Sequence, residues 1–77
     1  MTIENTVGEN LRRIRNERGF TQEYVATKLS VPQSAVSNWE RGIKLIGTEY
    51  LAKIAKLYEV STDEILGMES KPLKATA

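Results

Sequence analysis

The sequence predicts an all-α fold, a compact bundle of about five short helices with two of them crossed over a tight turn near the middle. Three observations predict it. Apolar residues recur at spacings of three and four, as in Val7, Leu11 and Ile14, in Val25, Ala26 and Leu29, and in Leu51, Ile54, Ala55 and Tyr58. Such spacing gathers them on one face of a helix. Residues that start or stop helices stand at the joints between these runs: Gly19, Thr21, Ser61 and Gly67. With 77 residues, the chain has the size of one small domain near the lower limit for a self-sufficient core.

Taken in order, residues 1–6 are expected to form a flexible lead-in, and they hold no Lys or Arg. The first helix should start near Val7. Arg12, Arg13, Glu17 and Arg18 point away from its apolar stripe, and Gly19 ends it, because a C-cap in the left-handed region favours glycine. Thr21 is a good N-cap for a second helix from about Gln22 to Leu29. A third runs from about Gln33 to Arg41, with Val36 and Trp39 on its buried side. Ala26 is small where these two helices should cross, and Val36 is its natural partner. Trp39 falls three residues after Val36 and is better read as core than as a stacking platform for bases. The fourth helix runs from about Thr48 to Glu59, capped by Gly47 or Thr48, with Leu51, Ile54, Ala55 and Tyr58 turned inward. Val60 enters the next connection. Ser61 caps a short fifth helix, and Glu64 three residues later completes a capping box. Ile65 and Leu66 close the core, and Gly67 stops the helix. Residues 7–67 therefore form the folded domain. The tail, residues 68–77, contains Pro72 and two lysines and is expected to be disordered.

Residues 21–42, TQEYVATKLSVPQSAVSNWERG, are the stretch the rest serves: two short helices and a turn. The outward face of the second carries Gln33, Ser34, Ser37 and Asn38. These are short, uncharged donors and acceptors suited to base edges in a major groove. Gln33 has the geometry for two hydrogen bonds to adenine, at N6 and N7. Ser34 specifies less, since a hydroxyl both donates and accepts. Asn38 suits adenine or a phosphate. The competing reading of all four is a solvated helix face; the motif on the buried side weighs against it. Gln22 lies at a helix N-terminus, where unpaired N–H groups attract phosphate. Arg41 and Lys44 sit in the loop after the third helix, as phosphate contacts or as a solvated pair of charges.

Several linked features give the chain a family likeness: Leu11, Arg15 and Gly19 before the motif, Thr21-Gln22 at its start, Trp39-Glu40-Arg41-Gly42 at its end, then Leu51, Ile54, Ala55 and Val60-Ser61. From Gly8 to Gly67 it resembles the phage repressor and Cro family, also called the XRE family, whose members share a lambda-repressor-like helix-turn-helix. The resemblance implies that the third helix is a recognition helix. It implies that Gln22 contacts phosphate and supports Gln33, and that Lys44 reaches phosphate or guanine. Arg15 has two readings: a phosphate contact, or the favoured one that the resemblance implies, a structural ion pair with Glu40. Two residues depart from the family pattern. Ser30 stands where glycine is common, at a position that needs a left-handed backbone. Pro32 takes the slot where Ser or Thr often caps the recognition helix; it cannot cap by side chain, but its fixed φ suits helix entry.

The totals exclude more than they assign. With no Cys and no His, disulfide frameworks and the usual zinc sites are out, and so are the commonest general base and thiol nucleophile. No Gly-rich phosphate loop or metal-ligand cluster is present, so an enzyme is not expected and no cofactor or small-molecule ligand is implied. No apolar run approaches membrane-spanning length, and no signal peptide is apparent. The expected location is the bacterial or phage cytoplasm, at the nucleoid. The net charge of +1 supports DNA binding only weakly. Residues 1–47 hold seven basic and five acidic residues, and residues 48–77 four and five. The expected function is a transcriptional regulator, a repressor, that binds double-stranded DNA at a palindromic operator as a homodimer. Leu45, Ile46, Ile65, Leu66 and Met68 are candidate dimer contacts, or core. The alternative is a protein-interaction module or antitoxin of the same fold, which near-neutral charge favours and the intact polar face disfavours.

Overall fold

A computed structural model describes residues 2–68, and among them all regular structure is helical. Five helices follow in order: α1 Ile3–Arg18, α2 Gln22–Leu29, α3 Gln33–Glu40, α4 Thr48–Tyr58 and α5 Thr62–Leu66. The disorder expected for the tail concerns residues that, beyond Met68, lie outside the described ones.

The first helix is longer than the sequence suggests. It begins at Ile3, not near Val7, because the Thr2 hydroxyl accepts from the Asn5 N–H at 3.1 Å and caps it. Ile3 stands four residues before Val7, in line with the apolar stripe, but it and Asn5 are exposed, so the buried part of the stripe starts only at Val7. The flexible lead-in is thereby corrected: residues 3–6 are helical. The C-terminus conforms. Gly19 adopts φ 76°, and its N–H donates to the Arg15 and Asn16 carbonyls.

The other boundaries lie within a residue of expectation. Thr21 caps α2 through a bond from the Tyr24 N–H, 3.0 Å. Ser30 takes the left-handed backbone, φ 59°, that the family usually gives to glycine. Pro32 precedes α3 without a side-chain cap. Gly47, not Thr48, is the N-cap of α4. The Ser61 hydroxyl accepts from the Glu64 N–H at 3.0 Å, which is one half of the expected capping box.

The core joins all five helices: Val7, Leu11 and Ile14 from α1; Val25, Ala26 and Leu29 from α2; Val36 and Trp39 from α3; Ile54, Ala55 and Tyr58 from α4; Ile65 from α5. Ile46 enters it from the loop before α4. Each large apolar side chain so buried contributes about 1.5–3 kcal/mol. Leu51 and Val31 are only half-buried at its edge. Of the five candidate dimer contacts, Ile46 and Ile65 are therefore core and Leu66 packs against it, while Leu45 and Met68 are exposed.

Two polar clamps fix α1 against the C-terminal helices. The Asn10 amide donates to the Ile65 carbonyl at 3.0 Å. Arg18 Nε donates to the Tyr58 carbonyl at 2.6 Å, at the end of α4 where carbonyls lack helical partners. Backbone proximity fixes α1 against α3. A Cβ on Gly8 would stand 2.6 Å from the Trp39 and Glu40 carbonyl oxygens, so only glycine lets α1 lie this close to the end of α3.

Candidate nucleic-acid interface

Helix α3 divides cleanly between two faces. Val36, Trp39 and Glu40 are buried, one turn apart on the inner side. Gln33 and Ser34 are exposed, and Ser37 and Asn38 half-buried, on the other. Trp39 packs its ring against Tyr50, centroids 5.6 Å apart, which anchors α3 to α4. Trp39 is thus a core residue and offers no platform for bases. All four polar residues singled out from the sequence share one accessible face, with the N-terminal pair the most open. A recognition helix contacts base edges mainly through its N-terminal residues, and Gln33 and Ser34 are the first two of α3.

Behind this face lies a buried ion pair. Arg15 Nε donates to Glu40 Oε2 at 2.6 Å and Arg15 Nη2 to Glu40 Oε1 at 3.1 Å. The third guanidinium nitrogen donates to the Phe20 carbonyl at 2.9 Å. The side chains are 12% and 3% exposed, so the pair is internal and Arg15 does not face phosphate. The hydrogen bond to Glu40 holds the Arg15 guanidinium above its ordinary pKa, against the opposing pull of burial. This two-pronged contact ties the middle of α1 to the last residue of α3.

Gln22 completes the arrangement, though not with the free amide expected of it. Its Nε2 donates to Glu40 Oε1 at 3.0 Å, and its Oε1 accepts from Gln33 Nε2 at 3.4 Å. The carboxylate draws the amide inward because Arg15 leaves Glu40 Oε1 room for a second donor. A chain of contacts runs from α1 through Glu40 and Gln22 to the exposed start of α3. The link from Glu40 to Gln22, eighteen residues apart, carries no periodic signal in the sequence.

Cationic groups flank α3. Arg41 and Lys44 are exposed in the loop beyond it. That loop is folded back on the helix: the Ile43 and Lys44 N–H groups both donate to the Asn38 carbonyl, at 3.0 and 3.3 Å. Gly42 makes the turn at φ 75°, and a Cβ there would run into the Asn5 side chain of α1. At the start of α2, the first-turn N–H groups have no intrahelical carbonyl to bond, and that of Tyr24 donates to the Thr21 hydroxyl instead. Sequence reasoning missed Gly8, Asn5 and Asn10 as the residues that seat α1 beneath the interface. The first of these had a signal, a glycine inside an apolar helical stripe.

Residues 11–65 match the family described as Helix-turn-helix. The chain belongs to this family, in its XRE branch. Among its relatives is the HTH-type transcriptional regulator ImmR of Bacillus subtilis (strain 168), 38% identical over 64 residues that cover 83% of this chain and 50% of that protein. Another is the HTH-type transcriptional activator BcrR of Enterococcus faecalis, 38% identical over 61 residues, 79% of this chain and 30% of that protein. The chain spans half or less of the length of these two curated relatives. Among solved structures, the restriction-modification controller protein C.AhdI from Aeromonas hydrophila superposes with a TM-score of 0.75 at 26% identity, covering 80% of this chain and 94% of that one. The clp gene regulator ClgR from Corynebacterium glutamicum gives a TM-score of 0.82 at 26% identity, covering 88% of this chain and 72% of that one. The helix-turn-helix family thus accounts for the fold from α1 to α5. Among the described residues, no helix is long and apolar enough to cross a membrane.

Proposed function

We propose that this helix-turn-helix protein is a sequence-specific regulator of transcription, a repressor, that acts in the cytoplasm without enzymatic activity. The observation that carries the reading is the exposed polar face of α3, braced from behind by the buried Arg15–Glu40 pair. In this reading α3 enters the major groove of double-stranded DNA. Gln33 reads adenine, Ser34, Ser37 and Asn38 contact neighbouring base edges, Arg41 and Lys44 hold phosphates, and Gln22, its amide engaged by Glu40 and Gln33, meets phosphate through its backbone N–H at the start of α2. One such helix covers a half-site, and a two-fold homodimer on a palindromic operator sets two of them about one helical turn apart. Exposed Leu45 and Met68 remain as apolar dimer contacts from the original set. Relatives named as a transcriptional regulator and a transcriptional activator support the class of function.

Selection of bound sequences from a random duplex pool tests this directly. A symmetric enriched site supports the reading. Gln33→Ala should then weaken binding to that site by about 1–3 kcal/mol and relax preference at one base pair, whereas Arg41→Ala should weaken all sequences alike. Unchanged selectivity in Gln33→Ala removes Gln33 as the reading residue.

A protein-interaction module is the second reading, favoured by exposed Ile43 and Leu45 beside α3, 60% and 45% accessible, and by the net charge of +1. Affinity that falls steeply with salt supports the DNA reading, because each neutralised phosphate releases counterions. A flat response, or no binding to any duplex, supports the protein partner.

A further inference from the structure

We propose that Glu40 is a positioning residue for base recognition: its carboxylate sets the direction of the Gln22 amide and, through it, which end of Gln33 remains available to DNA. The proposal deepens the DNA reading above and rests on it.

The argument is one of hydrogen-bond polarity. An ionised carboxylate accepts and never donates. Glu40 is buried, 7% exposed, and bound to Arg15 through both oxygens. Gln22 must therefore meet it with the NH2 end, as it does at 3.0 Å. The Gln22 carbonyl oxygen is then turned outward, and a carbonyl oxygen only accepts. Gln33 must meet it in turn with its own NH2, at 3.4 Å. One N–H of Gln33 is thereby used, and one N–H and the whole carbonyl oxygen are left. That remaining pair, a donor beside an acceptor, is the complement of adenine N7 and N6 in the major groove. Reverse the relay and the Gln33 amide turns over: its oxygen, which has two lone pairs, gives one of them to Gln22. Donor and acceptor then stand in the opposite order along the base edge and no longer face adenine N7 and N6. A buried charge on the far side of the motif thus selects the base read at its surface.

Glu40→Gln tests the relay. The substitution keeps the shape of the side chain but gives it an NH2 that can donate to Gln22, so the direction is no longer imposed. Arg15→Lys is the control, since it weakens the ion pair and leaves the carboxylate in place. Each variant is assayed at a temperature where circular dichroism shows it folded. Affinity is measured for the selected duplex and its three substitutions at the base pair that Gln33→Ala identifies. The parent and Arg15→Lys should favour adenine on the order of ten-fold or more. Glu40→Gln should bring that ratio close to one while the slope of affinity against salt stays the same. In the DNA-free protein, the side-chain amide resonances of both Gln22 and Gln33 should move in Glu40→Gln. Retained adenine preference in Glu40→Gln, or Gln33 amide resonances that do not move, overturns the proposal. Loss of preference in Arg15→Lys as well would also overturn it, since general loosening would then explain both. If the parent itself selects no duplex, the DNA reading fails, and the amide resonances still decide whether the relay exists.

Discussion

Replacing Glu40 by alanine should cost this domain a large share of its stability. The side chain is 3% exposed and its partner Arg15 12%. Alanine strips an acceptor from two Arg15 nitrogens and from the Gln22 amide. Removing one member of a buried pair costs about 3–5 kcal/mol, because the other charge is left without compensation. Arg15 keeps its bond to the Phe20 carbonyl and is the more open of the two, so the lower end, about 3 kcal/mol, is expected. For a domain of this size each kcal/mol moves Tm by about 4–8 °C, which gives a fall of about 12–24 °C. Thermal unfolding followed by far-ultraviolet circular dichroism reads it. The double variant Arg15→Met with Glu40→Leu should recover most of the loss, since no buried charge then stands alone. A drop in Tm matching the 0–1 kcal/mol or so of an exposed pair, or a double variant no better than the single one, would refute the reasoning.

Three further substitutions probe the frame around that pair. Gly8→Ala places a Cβ 2.6 Å from two backbone carbonyls of α3; neither can swing aside, so the urea midpoint should fall by the equivalent of about 1–3 kcal/mol or more. Ser30→Gly relieves a left-handed residue at φ 59° worth about 1–2 kcal/mol, against about 0.5–1 kcal/mol lost to the freer unfolded chain. Tm should rise by a few degrees, and a fall would show that the Ser30 side chain holds the turn. Tyr58→Phe removes a buried hydroxyl with no hydrogen-bond partner among the described residues, so Tm at neutral pH should hold or rise. The same phenol is pushed above its ordinary 10.0, first by burial and then by the charge of Glu40. The unfolded chain therefore gives up this proton first. The stabilisation is intact below pH 10 and is lost as pH climbs beyond it, at about 1.4 kcal/mol per pH unit. Tyr58→Phe should make that alkaline decline shallower, as denaturation at a series of pH values will show.

Much of this was legible in the sequence because helices that bury one face write their period into the chain. The apolar runs of α1, α2 and α4 and the caps Thr21, Ser61 and Gly19 placed the elements to within a residue or so. The start of α1 escaped because its first turn is exposed; Ile3, four residues before Val7, continues the stripe only at its open end, and Thr2 marks the cap. The Arg15–Glu40 pair came from family resemblance and not from spacing, since nothing local links two charges twenty-five residues apart. The Gln22–Glu40 bond was beyond either route. It depends on how closely α1, α2 and α3 converge, and that convergence is set by side-chain volume, Gly8 above all. For the exposed face the position was lower still on ambiguity: with the inner face of α3 fixed as Val36, Trp39 and Glu40, Gln33, Ser34, Ser37 and Asn38 had nowhere else to go.

The same packing explains how so small a net charge is compatible with the DNA-binding surface proposed on α3. Several cations are engaged with partners of their own, one inside the fold and the others along its surface. Arg15 holds Glu40, Arg18 caps α4 through the Tyr58 carbonyl, and Arg13 and Lys53 pair with Glu17 and Glu49 along their own helices. What remains beside α3 is chiefly Arg41 and Lys44, both at one end of the helix. Phosphate attraction of that size gives little affinity for arbitrary duplex. In the proposed DNA reading, discrimination then falls to the amides and hydroxyls of α3, whose hydrogen bonds gain only when their direction is fixed before DNA arrives. The role proposed for the buried Glu40 carboxylate is to supply that direction at the start of the helix, where Gln33 stands. Weak general attraction and strong internal bracing are therefore two sides of one allocation of charge.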